Sequence, residues 1–222
     1  MQTSTPGGRL SELVVVRHGE STANAAFAAG RPGEVKGPDA DIPLTPRGEW
    51  QAARLGNAIA AWPAERRPEV VLCSPYLRAR RTHEILAAAA DARGVTLPAA
   101  LIDDRLPDRR MGEWELVPWP TIATAGDDVF FARPPGGESL ADVADRLGSL
   151  LADINDRYRD RRVLLVAHDA IVAVLRYLIE QPSLENFARQ LRVPAANASI
   201  TRWVGDGERL RLAEFNRVDH LK

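Results

Sequence analysis

The chain has 222 residues, 45% hydrophobic and 27% charged, an ordinary globular composition that excludes wholesale disorder. Its 29 basic and 30 acidic side chains leave a net charge of −1, too weak a field for non-specific attachment to nucleic acid or a membrane surface. A single cysteine, Cys73, excludes both an internal disulfide framework and a cysteine-based zinc cluster.

Residues 1–11 read as a polar tail without the basic and apolar segments of a secretory leader, and no run of about 18 apolar residues follows. This points to a cytoplasmic globule. Leu13 to Val16 (LVVV) form a β-branched run typical of a buried strand. Residues 22–44, rich in Ala, Gly and Pro, read as a long loop. A helix follows, with Thr45 as its cap and Pro46 at its first position. Val70 to Cys73 read as a second strand, Tyr76 to Asp91 as a helix, and Pro98 to Ile102 as a third strand.

Residues 103–137 show little periodicity and carry Trp114, Trp119, Phe130 and Phe131, so they read as a lid over a site. Those aromatics either contact a leaving group or form the lid's own core. Leu140, Val143, Ala144, Leu147, Leu150, Leu151 and Ile154 then fall on one helical stripe. Val163 to Ala167 read as a fourth strand, Ala170 to Glu180 as an apolar helix, and Ser199 to Phe215 as a hairpin with glycines in its turn. Strands alternating with helices imply an α/β three-layer sandwich, with a mostly parallel central sheet and helices on both faces. We read residues 1–222 as one domain, with a core over 12–204.

Ligands of such sheets bind beyond the carboxyl ends of the strands. There the sequence places Arg17-His18, then Ser74 through Arg78, then His168-Asp169. Two imidazoles and two guanidiniums can therefore meet at one edge. Guanidinium forks match phosphoryl oxygens, and a neutral imidazole is a good nucleophile toward phosphorus. A second, protonated imidazole can stabilise charge on the equatorial oxygens. Rival readings are weaker. Cys73 and Arg78 miss the C-x₅-R spacing of cysteine phosphatases, and Gly136-Gly137-Glu138-Ser139 lacks phosphate-loop spacing. His18 and His168 have no third residue at metal-ligand spacing, and His83 and His220 read as structural.

RHGESTAN (17–24), DIPLTPRGEWQA (41–52), SPYLRARRT (74–82), RPPGGESLADVADR (133–146) and VAHD (166–169) resemble, in order, the motifs of the histidine phosphatase superfamily, also called phosphoglycerate mutase-like. The resemblance runs from about residue 13 to about 200. It implies a phosphoglycerate mutase-like fold and assigns His18 as the residue that becomes phosphohistidine. Arg17 and Arg78 would grip the phosphoryl group, His168 would be the protonated partner, and Asn24 would lie near the phosphate. No metal or other cofactor is implied. The partners implied are a small phosphorylated substrate and inorganic phosphate, with no nucleic acid and no membrane. The oligomeric state stays open, with a dimer as one option.

Two positions depart from the family pattern. Asp108 stands where the family has a glutamate that donates a proton to the leaving oxygen, and Glu113 is the rival donor. Asp169 stands where glycine is usual, either as a cap for the next helix or as a carboxylate that raises the pKa of His168. The chain lacks the lysine-bearing segment of the family's mutases, so the favoured expectation is a phosphomonoester hydrolase. A mutase and a non-catalytic phosphate sensor are the alternatives.

Overall fold

The computed structural model describes residues 10–117 and 130–222. Trp119, part of the expected lid, lies outside them. Six strands form one sheet in the order β3-β2-β4-β1-β5-β6. They are β1 (Glu12–Arg17), β2 (Val70–Cys73), β3 (Ala100–Ile102), β4 (Arg162–Ala167), β5 (Ile200–Gly205) and β6 (Leu210–Arg217). β3, β2, β4 and β1 run parallel, and β5 and β6 close one side antiparallel.

The β-branched runs become central strands because both of their faces are covered. Leu13 and Val15 of β1 join Val163 and Leu165 of β4 in one core, under α4 (Leu140–Arg157) and α5 (Asp169–Glu180). Val14 and Val16 point the other way, with Leu164, Val166 and Cys73, against α2 (Pro46–Ala60) and α3 (Leu77–Asp91). The period-two alternation of a strand thus feeds two cores, and three layers result. The expected fold class is the one observed.

Helix starts follow side-chain chemistry. Ser139 and Asp142 form a capping box on α4, and the Thr45 hydroxyl accepts the Gly48 N–H at 3.0 Å ahead of α2. The expected loop over 22–44 is partly wrong. Its first residues form α1 (Thr22–Ala28), opened by a capping box in which Asn24 replaces the usual Glu or Gln. That substitution hides the start signal. A further short helix, α6 (Leu184–Gln190), has only Phe187 buried and so carries no apolar stripe to read. Phe130 packs among Tyr177 and Phe187, with centroids 4.7 and 5.7 Å away, so it belongs to the core. Among the described residues, no helix is long and apolar enough to cross a membrane.

α2 and α3 touch backbone to backbone. A Cβ at Gly56 would sit 2.2 Å from the Leu86 carbonyl oxygen. Gly→Ala alone adds about 1 kcal/mol of helix stability. Overpacking against a backbone atom costs ~1–3 kcal/mol. Gly56→Ala is therefore expected to lower the urea midpoint, and a raised midpoint would contradict this contact.

Candidate active site

β1 and β4 are parallel neighbours in register, with Arg17 opposite Ala167. The next residue on each is a histidine, so His18 and His168 emerge side by side. Their ring centroids are 5.1 Å apart at 63°. The His18 N–H donates to Ala167 O at 2.9 Å, which continues the ladder past the strand end. Both side chains are buried, with 2% and 0% exposure.

His18 Nδ1 lies 2.7 Å from Gly19 O. A carbonyl only accepts, so Nδ1 carries the proton and Nε2 keeps its lone pair. His168 Nε2 lies 2.8 Å from the Ser74 hydroxyl, and Ser74 directly follows β2. His168 Nδ1 and Arg17 Nε are buried without a hydrogen-bond partner. A polar ligand seated between the two side chains would satisfy both atoms.

The backbone under His18 is fixed by close contact. A Cβ at Gly19 would fall 2.3 Å from Gly48 O, and one at Gly48 would fall 2.0 Å from Glu20 O. Glycine at both positions lets the start of α2 lie against the histidine loop. Gly19 N–H donates to Thr82 Oγ1 at 3.0 Å, and that hydroxyl donates to Arg78 O at 2.7 Å. One threonine on α3 thus ties the His18 loop to the turn bearing Arg78.

Arg78 is 5% exposed, and its guanidinium lies 4.8 Å from the centroid of the Tyr76 ring. Asp108 Oδ2 is 3.6 Å from Arg78 Nη2 and 3.7 Å from His168 Nδ1. Burial raises the pKa of Asp108 above the ordinary carboxylate value, against the lowering effect of Arg78. Its side chain keeps 29% exposure, which leaves a path for proton exchange. Glu113 instead sits exposed in the single turn Gly112–Trp114, and of the two acids the structure brings Asp108 to the histidines.

Asn24 stands close to His18. Its Oδ1 accepts from Ser21 N–H at 3.1 Å and from Asn197 Nδ2 at 3.0 Å, and the Asn197 amide also donates to His18 O at 3.2 Å. These contacts brace the His18 loop. Asp169 is not the cap of α5. His168 occupies the cap position, and the Asp169 carboxylate accepts the Ala195 N–H at 2.7 Å. Ala195 O in turn accepts from Arg17 Nη1. A helix neighbour was expected, but the returning 195 segment is nearer and offers a free donor.

Sequence reasoning placed Ser74 at the ligand edge without giving it a role, and missed Thr82, Asn197 and Asp39. Asp39 had no sequence signal. It grips Arg78 through Oδ1 at 2.9 Å from Nη1 and Oδ2 at 3.2 Å from Nη2. Arg105, Arg109 and Arg110, which flank Asp108 in the chain, are committed elsewhere. Arg105 binds Asp103 and Asp153, Arg110 binds Glu138, and Arg109 donates to Glu138 O and Ala132 O. Cys73 is buried and its thiol is pushed up to about 12, which disfavours a thiolate nucleophile. Among the described residues no group of three or more His, Cys, Asp or Glu could hold a metal ion.

Fold and site together define a phosphoglycerate mutase-like α/β protein with a buried pocket of imidazoles and guanidiniums. A family model for the histidine phosphatase superfamily (branch 1) matches residues 13–218, and the chain belongs to that superfamily. It is 28% identical over 214 residues to an uncharacterized phosphatase, PhoE, of Bacillus subtilis, covering 96% of this chain and 97% of that protein. It is 29% identical over 198 residues to a probable phosphoglycerate mutase, GpmB, of Salmonella paratyphi C, covering 86% and 83%. The solved native structure of a mycobacterial glucosyl-3-phosphoglycerate phosphatase superposes with a TM-score of 0.73 at 25% identity, covering 94% and 99%.

Burial, then the charge of Arg78, holds both site imidazoles well below the ordinary histidine value. His168 is therefore neutral in the ligand-free pocket, where a protonated partner was expected. The unfolded chain, titrating near ~6.5, binds more protons than the folded one below that pH. Stability present above ~6.5 is lost as pH falls toward the folded-state values. Urea unfolding at pH 7.5 and 5.5 should show a lower midpoint at 5.5, and a smaller drop in His168→Gln. Equal drops in both proteins would contradict a neutral, buried His168.

Proposed function

We propose that the chain hydrolyses small phosphomonoesters through a phosphohistidine on His18. The carrying observation is the free lone pair of His18 Nε2, held in place by the Nδ1 bond to Gly19 O and set beside a second imidazole and two guanidiniums. In this reading Nε2 attacks phosphorus in line with the leaving oxygen. The P–O bond breaks, and Asp108 in its protonated form, which burial favours, gives its proton to that oxygen. Asp108, now a carboxylate, then takes a proton from water, whose oxygen attacks the phosphohistidine. Inorganic phosphate leaves and His18 returns to its first state.

Arg17 and Arg78 supply permanent charge to the phosphoryl oxygens. An arriving dianion raises the pKa of His168, so this ring can bind as the imidazolium that the family resemblance implies. Asp169 acts at one remove, by holding the 195 peptide whose carbonyl orients Arg17.

His18→Ala should lower metal-free release of p-nitrophenol from p-nitrophenyl phosphate by on the order of 10³-fold or more. Release that needs added metal, or that survives the substitution, would overturn the reading. Asp108→Asn should cost ~10²–10⁴-fold with alkyl phosphates, and far less with p-nitrophenyl phosphate, whose leaving group needs no proton. Equal losses on both substrates would remove Asp108 as the acid. The mutase reading is favoured by the similarity to GpmB. It predicts 2-phosphoglycerate from 3-phosphoglycerate primed with bisphosphate.

A further inference from the structure

Asp39 occupies the Nη1–Nη2 edge of the Arg78 guanidinium. Nη1 donates to Asp39 O at 2.6 Å and to Asp39 Oδ1 at 2.9 Å, so both its hydrogens are used. Nη2 donates to Asp39 Oδ2 at 3.2 Å, which leaves its second hydrogen and the Nε–H of the five guanidinium hydrogens. Asp39 is held firmly. It opens a single turn over Asp39–Asp41 whose next residue, Ile42, is 1% exposed and donates back to Asp39 O. Leu44 then pairs with Ser21 beside the His18 loop.

With Asp108 as the acid of the hydrolytic reading, Asp39 lies on the leaving-group side of Arg78. Nη2 faces both Asp39 and Asp108, and the charge of Asp39 reaches Asp108 and Tyr76. The charge balance there is narrow. Arg17 and Arg78 face the imidazoles, and Asp39 cancels much of the second. Arg105, Arg110 and Arg146 are paired with Asp103, Asp153 and Glu138. One phosphoryl dianion uses the cationic charge that remains. A second anion on the substrate, close to the ester, meets the Asp39 carboxylate.

We propose that Asp39 is a specificity-determining residue of this site, selecting phosphomonoesters whose leaving group is neutral or bears an ammonium near the ester and disfavouring those with a second anionic group. This rests on the hydrolytic reading of the same pocket. Rejection by an unmatched charge is how a polar site discriminates most strongly.

The test compares kcat/KM for O-phosphoethanolamine, glycerol 1-phosphate and 3-phosphoglycerate, which carry cationic, neutral and anionic leaving groups. The wild type should prefer them in that order. Asp39→Asn removes the charge and keeps the shape. It should raise the 3-phosphoglycerate to glycerol phosphate ratio about tenfold and lower the phosphoethanolamine ratio. Asp39→Ser, with melting curves for both variants, guards against a folding defect. A uniform change on all three substrates, or none, would overturn the proposal and reduce Asp39 to a support for Arg78. Thermal shifts with the same three esters, on His18→Ala with and without Asp39→Asn, read the preference without turnover. If the wild type fails to hydrolyse p-nitrophenyl phosphate, the hydrolytic reading fails. The binding order alone then decides for or against Asp39.

Discussion

Two neighbouring parallel strands that end in step dominate this molecule. Because Arg17 and Ala167 share a register position, the residues that follow, His18 and His168, cannot avoid each other. They meet in a buried space beside guanidiniums, where charge is costly and both rings stay neutral. A neutral imidazole with a free lone pair is what phosphoryl transfer requires of a nucleophile. The sheet's pairing is thus also the site's chemistry.

The surrounding structure keeps those groups from moving. Glycines 19 and 48 let the start of α2 lie against the histidine loop, and larger residues there would push it away. Thr82 bonds both the loop and the Arg78 turn. Asp169 acts through the Ala195 peptide on Arg17. Apart from the Thr82–Arg78 bond within α3, these contacts join distant parts of the chain, and together they hold the two imidazoles and two guanidiniums in place.

The balance of charge around the pocket is equally specific. An arginine-rich chain with two lysines spends most of its guanidiniums in ion pairs on its own carboxylates. Even Arg78 shares its fork with Asp39. Permanent cations are therefore abundant in composition but scarce at the point of chemistry, which makes a single extra carboxylate consequential.

The sequence alone determined the architecture and the meeting of the two histidines. β-branched runs have one plausible fate in an alternating chain, and residues after such runs face the ligand edge. Those two rules bring His18, Ser74 and His168 to one place before any coordinates exist. What the sequence could not decide were contacts between segments far apart along the chain. Asp108 over Glu113, Asp169 on the 195 peptide, and Asp39 on Arg78 all depend on where loops of irregular backbone cross. No periodicity encodes such crossings. α1 and α6 escaped for a related reason, since short helices with one or two buried residues leave no stripe. Local pattern reports which face is buried, and only the folded chain reports which carboxylate reaches which guanidinium.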